Sequence, residues 1–127
     1  MLTNPHGLNN LSRTIIGCSY EVANVLGRGF VEKVYANALA MEIQSKNIAV
    51  KTEYPIRVYY KDMVVGDFFA DLLVGNSILV ETKANSSLTN LHMSQCLNYL
   101  KATRFPVCLL INFGCESVQI RRILNDF

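Results

Sequence analysis

Two short apolar runs near the middle of the chain, Ala70–Val74 and Ile78–Ala84, are separated by Gly75-Asn76. Glycine and asparagine tolerate positive φ angles, so this pair between β-branched and aliphatic residues predicts a tight two-residue β-hairpin. Such a hairpin would bring the beginning of the first run back beside the end of the second. We therefore expect the centre of the chain to form two neighbouring antiparallel strands.

Three charged side chains interrupt these apolar runs. Side chains alternate between the two faces of a strand, so Glu81 and Lys83 would project from the same face as Leu79, and Thr82 from the other. The hairpin would bring Asp71 towards them. The pattern thus predicts two carboxylates and a lysine at one end of a sheet.

These residue types suit metal-assisted hydrolysis of a phosphodiester. Mg²⁺ and Mn²⁺ prefer oxygen ligands, which Asp71, Glu81 and the backbone carbonyl of Thr82 would supply. A bound metal lowers the pKa of a coordinated water and neutralises charge on the phosphate. Lys83 would orient the attacking water or stabilise the transition state. The stretch therefore indicates a candidate nuclease site.

A second interpretation of the same stretch is structural. Glu81 and Lys83 would then form an exposed pair on the solvent face of an amphipathic strand, and Asp71 would be a turn residue. An aspartate followed at some distance by Glu-x-Lys is common by chance, so the spacing alone does not decide between the two.

Composition limits the class of protein further. A chain of 127 residues that is 50% hydrophobic is expected to form one domain, 1–127, with residues 1–10 as a loose polar lead-in. The formal net charge of +2 gives no strong footprint for polyanions, so a nucleic-acid surface would need local clustering. The four cysteines form no Cys-x-x-Cys motif, which predicts reduced thiols in an intracellular protein of the cytoplasm, nucleoid or nucleus. The chain has no membrane-length apolar run, so we expect no membrane partner.

Periodicity predicts the order ααβββαββ, an α/β sandwich around a mixed sheet. The helices are expected at 11–26, with Ser12 as N-cap, at 30–46 and at 88–103; the strands are expected at 49–60, 64–74, 78–84, 107–113 and 117–124. Pro55 cannot donate to a ladder and predicts an edge strand or a break. The apolar run 107–113 predicts a buried central strand, and the third helix would be a crossover.

Helices two and three carry further candidates. Glu32 and Tyr35 are three residues apart and share one face of helix two, although Glu32 taken alone favours a solvated first-turn acid. On helix three, His92, Gln95 and Tyr99 form a polar stripe that follows the loop after Lys83. Gln95 and Tyr99 could hold a water or a phosphate oxygen. The alternative is that they only lie half-buried at the boundary between the apolar and polar faces of the helix. For His92 we favour an exposed boundary position.

Several segments, taken in order, resemble the GxxExxY proteins, a small branch of the PD-(D/E)XK nuclease superfamily. The segments extend over nearly the whole chain, from about Leu26 to Arg122, and are Gly29-Phe-Val-Glu32-Lys-Val-Tyr35, Ala70-Asp71-Leu-Leu-Val74, Val80-Glu81-Thr-Lys83-Ala84, the helix from Gln95 to Ala102, and Leu110-Ile-Asn-Phe-Gly114. Their joint order is far more specific than any one of them.

The resemblance implies a restriction-endonuclease-like core. It implies that Asp71 and Glu81 are metal ligands and that Lys83 is the catalytic lysine. It implies that Glu32 and Gln95 assist catalysis. Tyr35 and Tyr99 would support them.

Three functions are compatible with these observations. The leading hypothesis is a Mg²⁺- or Mn²⁺-dependent nuclease acting on DNA, with RNA as a further substrate and a homodimer as a compatible assembly. The second is a non-catalytic nucleic-acid-binding or assembly module on the same fold, favoured by the small charge and size. The third is a metal-free structural partner whose acids are solvated residues at a sheet edge.

Overall fold

The computed structural model describes residues 5–125, in which three helices flank one five-stranded mixed sheet. In chain order the elements are α1 (Pro5–Leu26), α2 (Glu32–Gln44), β1 (Val50–Tyr60), β2 (Met63–Val74), β3 (Ile78–Lys83), α3 (Asn90–Thr103), β4 (Val107–Asn112) and β5 (Gln119–Leu124). The predicted order ααβββαββ and the mixed α/β architecture are confirmed. Most predicted boundaries agree within two residues.

The sheet has the order β1-β2-β3-β4-β5, so each strand lies beside its neighbour in sequence. Among the described strands, β3 and β4 are the one parallel pair, and α3 makes the crossover that such a pair requires. Pro55 lies in the continuous edge strand β1, opposite Phe69, as the edge alternative predicted. All six residues of β4 are buried, which confirms the predicted interior strand.

Both tight turns use residues with positive φ. Gly75 and Asn76 have φ angles of 58° and 53°, the sign that a type I′ hairpin turn needs at both central positions, and the predicted hairpin is confirmed. Lys61 and Asp62, between β1 and β2, have φ angles of 48° and 65°. The two turns fix the registers of β1, β2 and β3.

The expected lead-in is wrong for residues 5–10. The first helix begins at Pro5, so Ser12 lies inside the helix and is not its N-cap. Proline is compatible with a first helical turn, where its missing N–H would be unpaired anyway. Leu8 is 7% exposed and joins the core, which extends the apolar stripe of the helix towards the N-terminus. The rest of the expected lead-in, residues 1–4, lies outside the described residues.

The sheet is covered on both faces. One hydrophobic cluster joins α1 and α2 to the sheet and includes Ile15, Leu39 and Val80. A second joins α3 to the opposite face and includes Leu79 and Leu100. Because consecutive residues of β3 enter different clusters, this strand is buried from both sides. Within residues 5–125, no helix is long and apolar enough to cross a membrane.

Candidate active site

The two central antiparallel strands separate where the acidic residues begin. β2 and β3 pair from Val74↔Ile78 to Leu72↔Val80, and the ladder ends there. The next residue of each strand is acidic: the backbone N–H of Asp71 donates to Oε1 of Glu81 at 2.8 Å. The backbone N–H of Thr82 donates in turn to Oδ2 of Asp71, also at 2.8 Å. Each strand thus binds the carboxylate of the other, and the hairpin brings both acids together.

Thr82 connects this pair to α2. Its Oγ1 donates to Oδ2 of Asp71 at 2.8 Å, so this carboxylate oxygen receives two hydrogen bonds from one residue. The same Oγ1 lies 3.4 Å from the backbone carbonyl oxygen of Glu32, the first residue of α2. The sequence indicated only the carbonyl of Thr82 as functional, and the role of its hydroxyl was missed.

Burial and repulsion control the charge of the second acid. Glu81 is only 5% exposed, so the solvent-face interpretation of Glu81 is wrong. Burial, followed by the negative charge of Asp71, raises the pKa of Glu81 to about 8. Without a cation, Glu81 therefore retains its proton at neutral pH. A divalent cation would favour the charged form and reverse this effect.

The two candidate residues Lys83 and Gln95 lie beside each other. Nζ of Lys83 is 3.5 Å from Oε1 of Gln95, the outer limit of a hydrogen bond, and Nε2 of Gln95 donates to the hydroxyl of Tyr99 at 3.1 Å. Burial, and then the charge of Glu81, raises the pKa of Tyr99 to about 12, so its hydroxyl stays neutral. Helix α3 thus supplies a polar chain that ends at the lysine.

His92 does not reach this site. It caps α3 instead: its backbone N–H donates to Oγ1 of Thr89, while its ring Nδ1 accepts from the backbone N–H of Thr89. This reciprocal capping satisfies two donors at the beginning of the helix. The non-catalytic interpretation of His92 therefore fits the structure.

The two candidates on α2 differ in their surroundings. Glu32 is exposed, and its negative charge makes the last of the contributions that raise the pKa of Glu81. Tyr35 is fully buried; its hydroxyl donates to the carbonyl of Gly27 at 2.6 Å, and its ring stacks on Phe113 at a centroid distance of 4.6 Å. Tyr35 thus holds the loop before α2 against the core.

A left-handed residue in the edge strand lies opposite the first acid. Glu53 has a φ of 50° and falls between the pairs Thr52↔Leu72 and Tyr54↔Ala70, at the level of Asp71. For a residue other than glycine this conformation costs roughly 1–2 kcal/mol. Residues two apart on a regular strand share one face, but Ala70 and Leu72 enter core clusters on opposite faces of the sheet. The alternation of side chains along β2 is therefore interrupted at Asp71.

Asn112 is a further residue that the sequence interpretation missed. It is fully buried, and its side-chain amide bonds the backbone N–H of Asn85 at 3.0 Å and the carbonyl of Asn85 at 2.9 Å. A Cβ on Gly114 would lie 2.2 Å from that carbonyl oxygen, so only glycine fits beside this loop. The two residues together fix the segment that follows Lys83. An asparagine within an apolar run was the available signal.

The donor set fits a magnesium-type cation better than a zinc-type one. Within residues 5–125 no group of three or more His, Cys, Asp or Glu side chains is placed to hold a metal, and the four cysteines are free. Mg²⁺ needs only one or two carboxylates because it keeps several waters. The carbonyl of Lys83 accepts from the backbone N–H of Phe113 on the β4 side at 2.8 Å. Since successive carbonyls of a strand point to opposite sides, that of Thr82 points to the β2 side, the side of Asp71.

The sheet is mixed and has helices on both faces, and two neighbouring strands carry an aspartate and a Glu-x-Lys sequence. Together these features define a restriction-endonuclease-like protein. The chain belongs to the PD-(D/E)XK nuclease superfamily, whose family model matches residues 9–123. No curated protein gives a significant sequence match.

Two solved structures are similar to the fold. The protein in the structure described as "Crystal structure of SSO0001" has a TM-score of 0.55 and 17% identity, with 76% of this chain and 51% of that chain covered. This chain therefore spans about half the length of that protein. The alkaline exonuclease LHK-Exo from Laribacter hongkongensis has a TM-score of 0.57 and 14% identity, with 99% of this chain and 73% of that one covered. At these identities the similarity concerns the fold alone.

Proposed function

We propose that this protein is a Mg²⁺- or Mn²⁺-dependent nuclease that hydrolyses phosphodiester bonds, with DNA as its main substrate. The observation that carries the proposal is that β2 and β3 hold each other's carboxylates near Lys83: the backbone N–H of Asp71 donates to Glu81, and the backbone N–H of Thr82 donates to Asp71. Burial and the charge of Asp71 raise the pKa of Glu81 to about 8, although the charge of Lys83 opposes this shift. A divalent cation would favour the charged form of Glu81 and bind both carboxylates. Membership in a nuclease superfamily adds support.

In this proposal Asp71, Glu81 and the carbonyl of Thr82 hold the cation, which would acidify a bound water and offset charge on the phosphate. Lys83 places a positive charge beside the scissile phosphate, where water attacks phosphorus and the bond to the leaving oxygen breaks. Gln95 positions the lysine amine, and Tyr99 orients Gln95. The contacts from Lys83 to Gln95 and from Gln95 to Tyr99 support the last two roles.

Two residues of α2 complete the proposal. Glu32 would act at the edge of the site through its charge or a bound water, and Tyr35 would support the loop that leads to it. Together with Gly29 they form the Gly-x-x-Glu-x-x-Tyr motif, which supports placing the chain among the GxxExxY proteins. We propose an intracellular location in the cytoplasm, because the four free thiols suit a reducing compartment.

A non-catalytic nucleic-acid-binding module is the second candidate. It is favoured by the raised pKa of Glu81, because a protonated acid is a poor metal ligand until the cation displaces the proton. In that case Asp71 and Lys83 would stabilise the strand ends rather than catalyse.

Cleavage assays distinguish the two functions. Supercoiled plasmid, linear duplex DNA, single-stranded DNA and RNA are incubated with the wild type in Mg²⁺, in Mn²⁺ and in EDTA. We expect cleavage only with metal, and loss of cleavage in Asp71→Asn, which keeps the backbone donor to Glu81. Calorimetric titration with Mn²⁺ gives an independent readout. Absence of cleavage of all four substrates together with absent metal binding would favour the module.

A further inference from the structure

A groove runs beside the candidate site, between α3 and the outer part of the β1–β2 hairpin. β3 pairs only with residues 72–74 of β2, so the hairpin extends beyond the rest of the sheet. The groove has a volume of about 680 Å³. Its lining includes Gln95 and Tyr99, the same residues that lead to Lys83. The groove and the candidate site are therefore continuous.

Aromatic side chains line the groove without being covered. Tyr59 is 60% exposed and Phe68 is 44% exposed. The ring of Phe68 lies 5.8 Å from that of Tyr99, and a Cβ on Gly66 would be 2.8 Å from it. Gly66 thus leaves the space that lets the ring lie along the strand. Exposed aromatic side chains gathered in a groove indicate a binding surface.

The charges of the groove are positive. Arg57 and Lys101 line it, and the described lining contains no acidic residue. Arg57 contacts Asp67 at 3.4 Å, but both side chains are about two-thirds exposed, and an exposed pair of this kind adds little stability. A phosphate could therefore replace Asp67 at little cost. The groove combines aromatic faces with cations, which is the chemistry of single-stranded nucleic-acid sites.

We propose that this groove binds unstacked nucleotides of a single strand next to the scissile phosphate, so that single-stranded or locally melted nucleic acid is the substrate class. This inference rests on the proposed nuclease function. Tyr59 and Phe68 stack on bases, while Arg57 and Lys101 bind phosphates. In a duplex the base faces are stacked on each other, so these aromatic rings would find no partner there.

Binding measured without cleavage tests the groove separately from the activity. Fluorescence anisotropy follows a labelled single strand and the blunt duplex of the same sequence in EDTA, where no metal-dependent cleavage occurs. We expect a Kd for the single strand at least ~10-fold lower than for the duplex, and about 10-fold weaker single-strand binding in Phe68→Ala and in Tyr59→Ala. Phe68→Leu keeps apolar bulk without a ring and should weaken single-strand binding as Phe68→Ala does.

Two controls complete this experiment. Tyr20→Ala removes an aromatic side chain, 49% exposed, from α1 on the opposite face of the sheet, and it should leave both Kd values unchanged. Lys101→Gln should lower the salt dependence of single-strand binding by about 0.7 in the slope of log K against log salt. Thermal unfolding confirms that each variant is folded.

The outcomes separate the two proposals. Equal or tighter duplex binding, or unchanged Kd values in the aromatic variants, overturns the groove assignment even if the protein cleaves DNA. Single-strand binding through the groove without any cleavage removes the nuclease proposal and retains the groove. If sedimentation shows a dimer that Phe68→Ala dissociates, with single-strand binding unchanged, the groove holds a second copy of the chain and the assignment is wrong.

Discussion

The backbone N–H of Asp71 donates to Oε1 of Glu81 at 2.8 Å, so the main chain of one acid holds the side chain of the other. This bond does not depend on the Asp71 side chain. Substitutions of that side chain therefore change the charge of the pair without releasing Glu81. The two acids can be tested one at a time.

Glu81→Gln tests the metal site directly. The amide has almost the shape of the acid and can still accept from the backbone N–H of Asp71, but it is a weak ligand for Mn²⁺. We expect the variant to lose Mn²⁺ binding by calorimetry and to unfold at the same or a higher temperature than the metal-free wild type, because the neutral amide cannot ionise in the buried position beside Asp71. Unchanged Mn²⁺ affinity would exclude Glu81 as a ligand.

The raised pKa of Glu81 predicts a pH dependence of stability. The unfolded chain releases this proton near the ordinary value of 4.5, whereas the folded chain holds it to about 8. Between these values the folded state binds more protons, so the free energy of unfolding falls as pH rises. The loss attributable to this group is on the order of a few kcal/mol and is complete above the folded pKa.

Denaturant unfolding of the metal-free protein between pH 5 and 9 measures this effect. Glu81→Gln is the matched control and should flatten the profile over that window. A saturating divalent cation should also reduce the slope, because it favours the charged carboxylate. A wild-type profile identical to that of the variant would contradict the prediction.

Lys83→Met should separate catalysis from binding. Methionine keeps the apolar stem and removes only the charge. We expect the variant to bind metal and DNA but to cleave at least ~100-fold more slowly, the scale of losing one electrostatic transition-state contact. Lys83→Arg should restore little activity, because its planar fork would displace the attacking water. Equal single-turnover rates for wild type and Lys83→Met would mean that the amine has no catalytic part.

Substitutions of Glu32 and Tyr35 should differ in whether they affect the cleavage rate or the stability of the protein. Glu32→Ala is expected to lower the cleavage rate with little change in stability, since an exposed acid contributes little to folding. Tyr35→Ala should cost about 3 kcal/mol or more, because it removes a fully buried ring. Cleavage rates together with urea unfolding check both. A stable Tyr35→Ala protein would show that its ring packing contributes less than its burial implies.

Asn112→Ala should act on the loop after the lysine. The substitution leaves the backbone N–H and carbonyl of Asn85 without their present partners, at a cost of roughly 1–3 kcal/mol. We expect a lower melting temperature and a reduced cleavage rate at saturating substrate, with metal affinity retained. Cys115→Ala removes weak sulfur contacts to Asn112 and to the carbonyls of Asn85 and Ser86, so it should have a smaller effect on the same loop. Unchanged stability in Asn112→Ala would contradict this role.

Local patterns predicted most of the fold and the proximity of the two acids in the candidate site. Gly75-Asn76 set the register of a hairpin whose two acids are ten residues apart, so their proximity followed from the chain itself. The left-handed Glu53 could not be predicted, because glutamate has no preference for that conformation. Its position opposite Asp71 appears only when β1 and β2 are paired.

Longer-range contacts were also inaccessible from sequence. Asn112 bonds a loop residue 27 positions earlier, and no local pattern in the chain indicates such a pairing. The groove depends on how α3 lies against a hairpin from another part of the chain. Helix periodicity alone placed Gln95 and Tyr99 on a polar stripe, but it could not identify the aromatic side chains that face them.

The order of the strands has a consequence for how the chain folds. Each antiparallel pair joins strands that are connected by a short turn, whereas the parallel pair β3 and β4 is connected through the whole of α3. Closing a short loop loses less chain entropy than closing a long one. Asp71 and Glu81 are therefore expected to meet early, because only a short turn connects their strands. The chain then carries two neighbouring acids, one of which gains a raised pKa as it becomes buried, through the slower assembly of its parallel half.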